Sequence, residues 1–320
     1  MSRSDSQMSA PAIEQMAGKG AARAARRAAI RRGEMHSSRG ASYGVNRRPG
    51  WLTYAFLTIT VLLSAAPIYY AVLLASSTGP AIAQNPLPLL FPDLPKLWEN
   101  LSKLLTQPNV PVMRAAWNSL LIATITALAV MFFSTLAGFA FAKLRFKGSN
   151  ALLLFIIGTM AVPAQLSIVP LFIVMKQLQW VGTIQAVIVP GLASAFGVFW
   201  MTQYLRSALP YELVEAARVD GCSMFRTFWH VGLPAARPAM SMLGLFSFVG
   251  SWTSFFWPYI ILGPQNPTLP LALALLQGRY FKDYSLIMSG VVITTVPLII
   301  LFIFAGRQLV AGVMQGAVKG

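Results

Sequence analysis

Residues 215–234 read EAARVDGCSMFRTFWHVGLP, a polar stretch that stands between long apolar runs. Hydrocarbon cannot satisfy the polar groups of such a stretch, so it must lie in water or against another protein. It therefore predicts a loop that connects two membrane spans. Five of its residues carry charged or ionisable groups: Glu215, Arg218, Asp220, Arg226 and His230.

Local signals predict two short helices in this loop. Pro210 suits the start of a helix over residues 211–219, and Gly221 suits the position just past its end. Ser223 can cap a second helix over residues 224–230. We expect the following Leu-Pro pair to stop that helix. Four residues of the second helix would form an apolar surface that nothing in the chain obviously covers: Met224, Phe225, Phe228 and Trp229.

The spacing of these residues resembles the signature loop of bacterial ABC-importer permeases. That pattern is EAA, three residues, Gly, nine residues, an aliphatic residue, any residue and Leu-Pro, with Val231 here where Ile is usual. The resemblance implies two coupling helices that dock into a cleft on a separate ATPase. The alternative is an ordinary amphipathic loop that carries this string by chance. The expected ATPase-coupling residues are Glu215, Ala216, Ala217, Asp220, Gly221, Val231, Leu233 and Pro234.

Composition indicates a membrane protein. Of 320 residues 56% are hydrophobic and 11% charged, with mean hydropathy +0.62, whereas soluble domains carry about a quarter charged residues. The net charge of +16 is typical of nucleic-acid binders, but ten of the 25 basic residues lie in the first 50 positions and the others flank apolar runs. We therefore expect no nucleic-acid partner. The lone Cys222 excludes an internal disulfide and fits no metal-site spacing.

The chain divides into a basic tail over residues 1–50, a six-span domain over 51–306 and a tail over 307–320. The first tail is either disordered or a basic helix resting on anionic headgroups, and its small alanine side chains favour disorder. Each predicted span exceeds the ~20 residues that cross a bilayer, and the third is expected to bend at its prolines. The predicted spans are 52–75, 115–142, 151–175, 183–205, 239–262 and 284–306, with the coupling loop at 206–238.

The basic residues predict the orientation. With both termini inside, the cytoplasmic segments hold 19 Lys and Arg and the external segments hold 6. We therefore expect a multi-pass protein of the bacterial cytoplasmic membrane with cytoplasmic termini and a cytoplasmic coupling loop. None of the predicted spans contains Asp, Glu, Lys, Arg or His, which disfavours a proton-coupled carrier because a proton relay needs titratable groups.

No catalytic or cofactor site is apparent. The chain has no GxxxxGK[ST] phosphate cradle, no metal-ligand cluster and no nucleophile–base arrangement that can be argued. We therefore expect a transport subunit that is not an enzyme and has no cofactor of its own. The resemblance implies that ATP and Mg are bound by the partner ATPase subunits.

Several polar and aromatic residues of the spans are candidates for a substrate path, since aromatic faces suit sugar rings. A Trp and Tyr group near a span end can equally be an interfacial belt. The candidate path residues are Asn118, Gln165, Trp252, Phe255 and Phe256.

The C-terminal residues 306–320 resemble the tail of carbohydrate-importer permeases, which implies docking of Gly316, Lys319 and Gly320 on the ATPase. A frayed, solvated tail is the alternative. The segment 263–283 is too polar and too short to span, and it fits a short external helix with a loop. By the same resemblance, this segment faces an extracytoplasmic solute-binding protein. The expected contact residues are Gln277, Gly278, Arg279 and Tyr280.

Together these features predict an all-α membrane protein with the type I ABC-importer permease fold, of the carbohydrate-uptake type. The resemblance implies four kinds of partner: a second homologous permease, an ATPase dimer, a solute-binding protein and membrane lipid. A polyol or a glycerol phosphate is the alternative solute. An ion-coupled secondary carrier is the alternative class, and it would work without an ATPase.

Overall fold

A computed structural model describes residues 50–85, 91–278 and 283–317, with side chains of the last helix described as far as residue 306. Throughout these ranges the regular structure is helical, as the sequence predicts. The chain divides into two compact units, Met1–Ser64 and Ala65–Gly320. Apart from Gly50, the basic tail predicted over residues 1–50 lies outside the described residues.

The helices vary from one turn to nine turns in length. Two 3₁₀ turns, Ala164–Ser167 and Val189–Gly191, and one π turn, Phe228–Gly232, join some of them. In chain order the α-helices are α1 (Trp51–Ala75), α2 (Gly79–Gln84), α3 (Leu94–Leu105), α4 (Val112–Lys143), α5 (Ser149–Thr159), α6 (Ile168–Gln177), α7 (Gln185–Ile188), α8 (Ala195–Ala208), α9 (Tyr211–Val219), α10 (Met224–Thr227), α11 (Leu233–Trp252), α12 (Phe256–Ile261), α13 (Leu269–Gln277) and α14 (Tyr284–Ala317).

Within the described residues, four helical segments are long and apolar enough to cross a membrane, where six were predicted. The count becomes five if the bent segment from α5 to α6 forms one span. The bend there is 92°, between Ser149–Thr159 and Ala164–Gln177. It confirms the predicted break, since Pro163 cannot donate a backbone hydrogen bond to a continuing helix. The four segments are Trp51–Ala75, Val112–Lys143, Gln185–Ala208 and Tyr284–Gly306.

The predicted span at 239–262 differs most from the structure. It is divided between α11 and α12, and α11 ends where the Thr253 N–H donates to the carbonyl oxygen of Val249. Pro258 explains the interruption. It lies in the first turn of α12 and has no N–H to donate to the Ser254 oxygen one turn back, and in a continuous helix its ring would clash with that carbonyl group.

Helix α4 lies at the centre of the second unit and packs along α8 and α11. At one end of α4, a core cluster joins it to α3, α13 and α14 through residues such as Leu104, Val112 and Leu269. At the other end, a second cluster joins it to α8, α9, the π turn and α11 through residues such as Phe139 and Met201. Helix α4 therefore connects the two ends of the unit.

With both termini inside, the sequence predicts three external segments, 76–114, 176–182 and 263–283, and the two longer ones contain short helices. The segment 76–114 holds α2 and α3, and the segment 263–283 holds α13, which confirms the short helix predicted there. Asp93 caps α3 by accepting from the Lys96 N–H at 3.0 Å. Asp283 caps α14, where its Oδ1 accepts from the Ser285 N–H at 3.0 Å.

Candidate functional site: the loop between α8 and α11

The first helix of the loop, α9, occupies the predicted residues Tyr211–Val219. Gly221 follows it with φ of 79°, the left-handed conformation that glycine adopts without steric cost. The Cys222 N–H donates to the Ala217 oxygen at 2.9 Å, and the Gly221 N–H donates to the Arg218 oxygen at 3.0 Å. These two bonds form a Schellman motif, which confirms the predicted helix end and turns the chain toward α10.

The second helix begins as predicted but does not end as predicted. Ser223 Oγ accepts from the Arg226 N–H at 3.3 Å, so Ser223 is the N-cap of α10. The helix then widens into the π turn Phe228–Gly232 and continues as α11, so the prediction that Leu233-Pro234 stops it is wrong. The Leu233 N–H bonds five residues back, to the Phe228 oxygen, and Pro234 follows at the start of α11, where its missing donor costs least.

Phe228 packs the loop against α4. It is 1% exposed, and the centre of its ring lies 5.5 Å from the centre of the Phe139 ring and 6.4 Å from the centre of the Phe132 ring. Val214 of α9 is 1% exposed within the same cluster. The expectation that Phe228 belongs to an uncovered apolar surface is therefore wrong. The aromatic residues that cover it come from a helix about ninety positions earlier in the chain.

Other residues of the loop are exposed. Phe225 and Trp229 are 64% and 49% exposed, and their rings stack with centroids 6.4 Å apart. Glu215, Ala216 and Asp220 are exposed as well. These exposed residues include two carboxylates and an aromatic pair. We name them together the exposed loop face, comprising Glu215, Ala216, Asp220, Phe225 and Trp229; Phe225 and Glu215 also line cavities beside α4.

The other predicted coupling residues differ in how far they are buried. Ala217 is buried at 8% exposure, so its methyl group packs inside the subunit. Gly221 and Pro234 are exposed, whereas Val231 and Leu233 are half-buried against the core cluster that contains Phe228.

Among the predicted path residues, Asn118 and Trp252 have partners inside the subunit. Asn118 Nδ2 donates to the Pro267 oxygen at 3.0 Å, and Trp252 Nε1 donates to the Thr294 oxygen at 3.1 Å. Both side chains are buried. Gln165, Phe255 and Phe256 are exposed, so the polar and aromatic surfaces of these three residues are accessible.

The remaining candidates are only partly described. Gln277 ends α13, and the Gly278 N–H donates to the Ala274 oxygen at 3.2 Å. Gly316 lies in the last turns of α14, which continues through most of the predicted tail at 307–320. Four candidates lie outside the described residues: Arg279, Tyr280, Lys319 and Gly320.

Charged residues beside the loop form a site that sequence reasoning missed. The Arg145 guanidinium lies 5.4 Å from the centre of the Tyr211 ring, and Lys143, Arg145 and Arg218 line one cavity of about 490 Å³. From the sequence, Lys143 and Arg145 were used only to predict the orientation in the membrane. Their positions two residues apart, directly after a span, could have indicated a shared cationic site. Across residues 50–85, 91–278 and 283–317, no group of three His, Cys, Asp or Glu residues could hold a metal ion.

Comparison with known proteins decides the family. Residues 134–313, more than half of the chain, match the family described as binding-protein-dependent transport system inner membrane component. The chain belongs to this family. The matched residues include the whole loop and α11, so the permease carries its signature stretch within the family's common region. As an ABC-transporter permease it is a transport component and not an enzyme.

Two curated relatives match the permease over most of both chains. It is 31% identical to the arabinooligosaccharides transport system permease protein AraQ of Halalkalibacterium halodurans, over 84% of this chain and 96% of that one. It is 30% identical to the lactose transport system permease protein LacG of Rhizobium radiobacter, over 85% and 97% respectively.

A solved structure shows the fold. It is a chain from a bacterial ABC transporter involved in the import of the acidic polysaccharide alginate. The TM-score is 0.68 at 21% identity, and the match covers 80% of this chain and 94% of that one. The permease therefore has the fold of an ABC-importer permease, as the sequence predicts.

Proposed function

We propose that this permease is a membrane subunit of an ATP-driven carbohydrate importer, and that residues 206–238 couple it to a separate ATPase. The relatives support the substrate class, since their names specify arabinooligosaccharides, lactose and trehalose/maltose. An oligosaccharide or a related solute is therefore the expected cargo. A second, homologous permease would form the other half of the translocation path.

The proposal rests on the presence of both buried and exposed apolar residues in the loop. Phe228 and Val214 are 1% exposed and fasten the loop to the membrane helices, whereas Phe225 and Trp229 are exposed beside them. Exposed aromatic residues on a loop are typical of a protein-binding surface, because a few aromatic anchors supply much of the binding energy at such interfaces. The exposed loop face therefore supports docking on another protein.

The helical connection supplies a route for coupling. Since α10, the π turn and α11 are continuous, a displacement of Phe225 and Trp229 moves the start of α11 directly. The contact between Phe228 and Phe139 passes the same displacement to α4. ATP-driven closure of the ATPase would thus reorient α4 and α11 together, as rigid elements with two arrangements do in allosteric transitions.

Individual residues have distinct proposed roles in docking. Glu215 and Asp220 make charged contacts in the ATPase cleft, and Ala216 permits close approach. Gly221 sets the turn between the helices, while the buried Ala217 serves packing within the subunit. Val231, Leu233 and Pro234 form the junction to α11.

Further partners follow from the family. We propose that Gly316, Lys319 and Gly320 reach the ATPase, and that Gln277, Gly278, Arg279 and Tyr280 face an extracytoplasmic solute-binding protein. The proposed orientation has both termini in the cytoplasm of a bacterial cell. Gln165, Phe255 and Phe256 are the proposed substrate-path residues, because their side chains are exposed.

The deciding experiment purifies the complex from its native membrane in mild detergent. We expect a second permease and an ATPase to copurify and, after reconstitution with the binding protein, ATP hydrolysis that rises with the correct sugar. Arabino-oligosaccharides, lactose, maltose, a polyol and glycerol phosphate form the test panel. Isolation of this chain alone, with uptake that survives ATP depletion under an ion gradient, would indicate a secondary carrier instead.

Variants locate the coupling surface. Phe225→Ala combined with Trp229→Ala should weaken ATPase retention and uptake together, because both rings are lost from the exposed loop face. Trp98→Ala is the matched control, since Trp98 is 75% exposed and lies on α3, outside the loop. Equal retention and uptake in the double variant and the control would place coupling elsewhere.

A further inference from the structure

Two adjoining cavities lie beside the loop, and the first is cationic. Its volume is about 490 Å³, and Lys143, Arg145 and Arg218 line it together with a single carboxylate, that of Glu215. The net formal charge of these four side chains is +2. Arg145 also stacks over the Tyr211 ring, which holds the guanidinium at the cavity wall.

Lys143 shows that this cavity is more than a solvated basic surface. Lys143 is the last residue of α4 and is 6% exposed. In the part of the chain that the structure describes, its ammonium group has no hydrogen-bond or ion-pair partner, and all ion pairs there belong to Glu99. The Lys143 side chain is thus largely buried while its ammonium group opens into the cavity, and the Glu212 carboxylate acts on it only through space. Three cationic groups held around one cavity repel each other, which points to an anionic ligand among them.

The second cavity is an apolar groove of about 560 Å³. It shares Leu144 and Met224 with the cationic cavity, so the two adjoin at these residues. Phe133, Ala137 and Ala140 of α4 line its length. These residues lie 3 to 10 positions before Lys143, about 5–15 Å along the helix at 1.5 Å per residue. The apolar groove thus extends from beside the cationic cavity toward the middle of α4.

We propose that the two cavities bind one anionic phospholipid, with its phosphate among Lys143, Arg145 and Arg218 and an acyl chain in the groove. The length of α4 supports a position of the phosphate at the level of the lipid headgroups. At 1.5 Å per residue its 32 residues extend about 48 Å, which exceeds the ~40–45 Å of a bilayer with its headgroups. The end of α4 therefore lies at headgroup level, and the groove extends from there toward the hydrocarbon. An acidic peptide would satisfy the cations and leave the groove unfilled.

This lipid would join the end of α4 to both helices of the loop, because Arg218 belongs to α9 and Met224 to α10. Its binding would hold the loop in one position relative to the membrane helices. An anionic lipid would therefore raise the amount of solute imported per ATP. Only this last consequence rests on the proposed function; the lipid site itself does not.

The test measures lipid retained by the intact importer complex, using native mass spectrometry after reconstitution in nanodiscs of phosphatidylglycerol and phosphatidylcholine. We expect the wild type to retain phosphatidylglycerol selectively. Arg145→Gln with Arg218→Gln should reduce that retention by about tenfold or more, since two charge-assisted contacts are lost. The control is Lys147→Gln with Arg226→Gln, which removes the same charge at exposed residues that do not line the cavity.

A second variant tests the groove without touching the cations. Ala140→Phe should block the acyl chain, whereas Thr124→Phe, at an exposed position of the same helix outside the groove, should not. Equal retention of the two lipids by the wild type, or equal losses in test and control variants, would overturn the proposal. Displacement of phosphatidylglycerol by inorganic phosphate alone would indicate a free-anion site and would overturn it too. These readouts stand whether or not the importer transports carbohydrate.

Discussion

Gly138 of α4 faces Met201 of α8 so closely that a β-carbon built on Gly138 would lie 2.6 Å from Met201 Cβ and 2.8 Å from its carbonyl carbon. Small residues permit such backbone approach between membrane helices, where packing rather than the hydrophobic effect drives association. Because the obstructing atoms are backbone atoms of Met201 and Thr202 and the Cβ fixed to that backbone, they cannot move aside as the end of a flexible side chain would.

We therefore expect Gly138→Ala to destabilise the permease by about 1–3 kcal/mol, the usual cost of overpacking. Its thermal midpoint in detergent, measured on the assembled complex, should fall. Gly158→Ala is the matched control, because Gly158 lies in α5 with open space around its Cα. Equal midpoints for Gly138→Ala and wild type would show that α4 and α8 can separate without cost.

Gly221 allows a test of turn geometry in coupling. Its φ of 79° is strained for a β-branched residue and tolerable for asparagine. Gly221→Val should therefore uncouple ATP hydrolysis from uptake while leaving the protein in the membrane, and Gly221→Asn should retain most coupling. Gly182→Val applies the same strain at φ of 83° outside the loop, and it should leave the ratio of uptake to hydrolysis unchanged. Normal coupling in Gly221→Val would refute the role.

The two helices of the loop illustrate what sequence alone can predict. Pro210, Gly221 and Ser223 act through their own backbone geometry, so the start and end of α9 and the start of α10 were predictable. The burial of Phe228 depends on its contact with Phe139, which lies 89 positions earlier, and no local sequence pattern predicts that contact. The continuation into α11 also depends on tertiary packing, because the π turn seats Gly232 against the Phe139 ring.

The cationic cavity was hidden from sequence reasoning for the same reason. Lys143 and Arg145 follow one span, whereas Arg218 lies more than seventy positions later on α9. Each has an ordinary explanation as a topology signal. Only the fold shows that they converge on one cavity and that the Lys143 side chain is 6% exposed there. The break before α12 was not predicted either, although Pro258 is a local signal for it, because a proline removes one backbone hydrogen bond from a continuing helix.

Asn100 is expected to stabilise the end of α1. Its Nδ2 donates to the Ala75 oxygen at 2.8 Å and to the Ser77 oxygen at 2.9 Å, and the residue is 3% exposed. These carbonyl groups would otherwise lack partners at the end of a helix. Asn100→Ala should destabilise the protein by about 1–3 kcal/mol, the cost of leaving buried acceptors unsatisfied. The thermal midpoint checks this, with Ser102→Ala on the exposed side of α3 as control; equal shifts would contradict it.

Glu99 predicts a pH dependence on α3. Hydrogen bonds from Lys103 and Lys96 lower the pKa of its carboxyl group from 4.5 to about 2. Because the folded pKa is depressed, the stabilisation is present at neutral pH and is lost as pH falls from 4.5 toward 2. The wild-type thermal midpoint should exceed that of Glu99→Gln by a small margin that narrows over this range. High salt should remove the margin, since the pair is exposed. A margin independent of pH and salt would contradict this origin.

Trp252 and Phe256 separate structural roles from transport roles among the predicted path residues. Trp252 is 3% exposed, stacks on Phe248 with centroids 5.9 Å apart and donates to the Thr294 oxygen of α14. Phe256 is 54% exposed. Trp252→Phe should therefore lower the thermal midpoint, because the hydrogen bond, worth about 1 kcal/mol, is lost, and it should leave the KM for solute unchanged.

Phe256→Ala should raise the KM for solute and leave the thermal midpoint unchanged, because an aromatic face is lost from an accessible surface. Phe246→Ala, at a 51% exposed residue of α11, controls for loss of an exposed ring. A raised KM in Trp252→Phe would mean that the Trp252 side chain reaches the solute despite its burial.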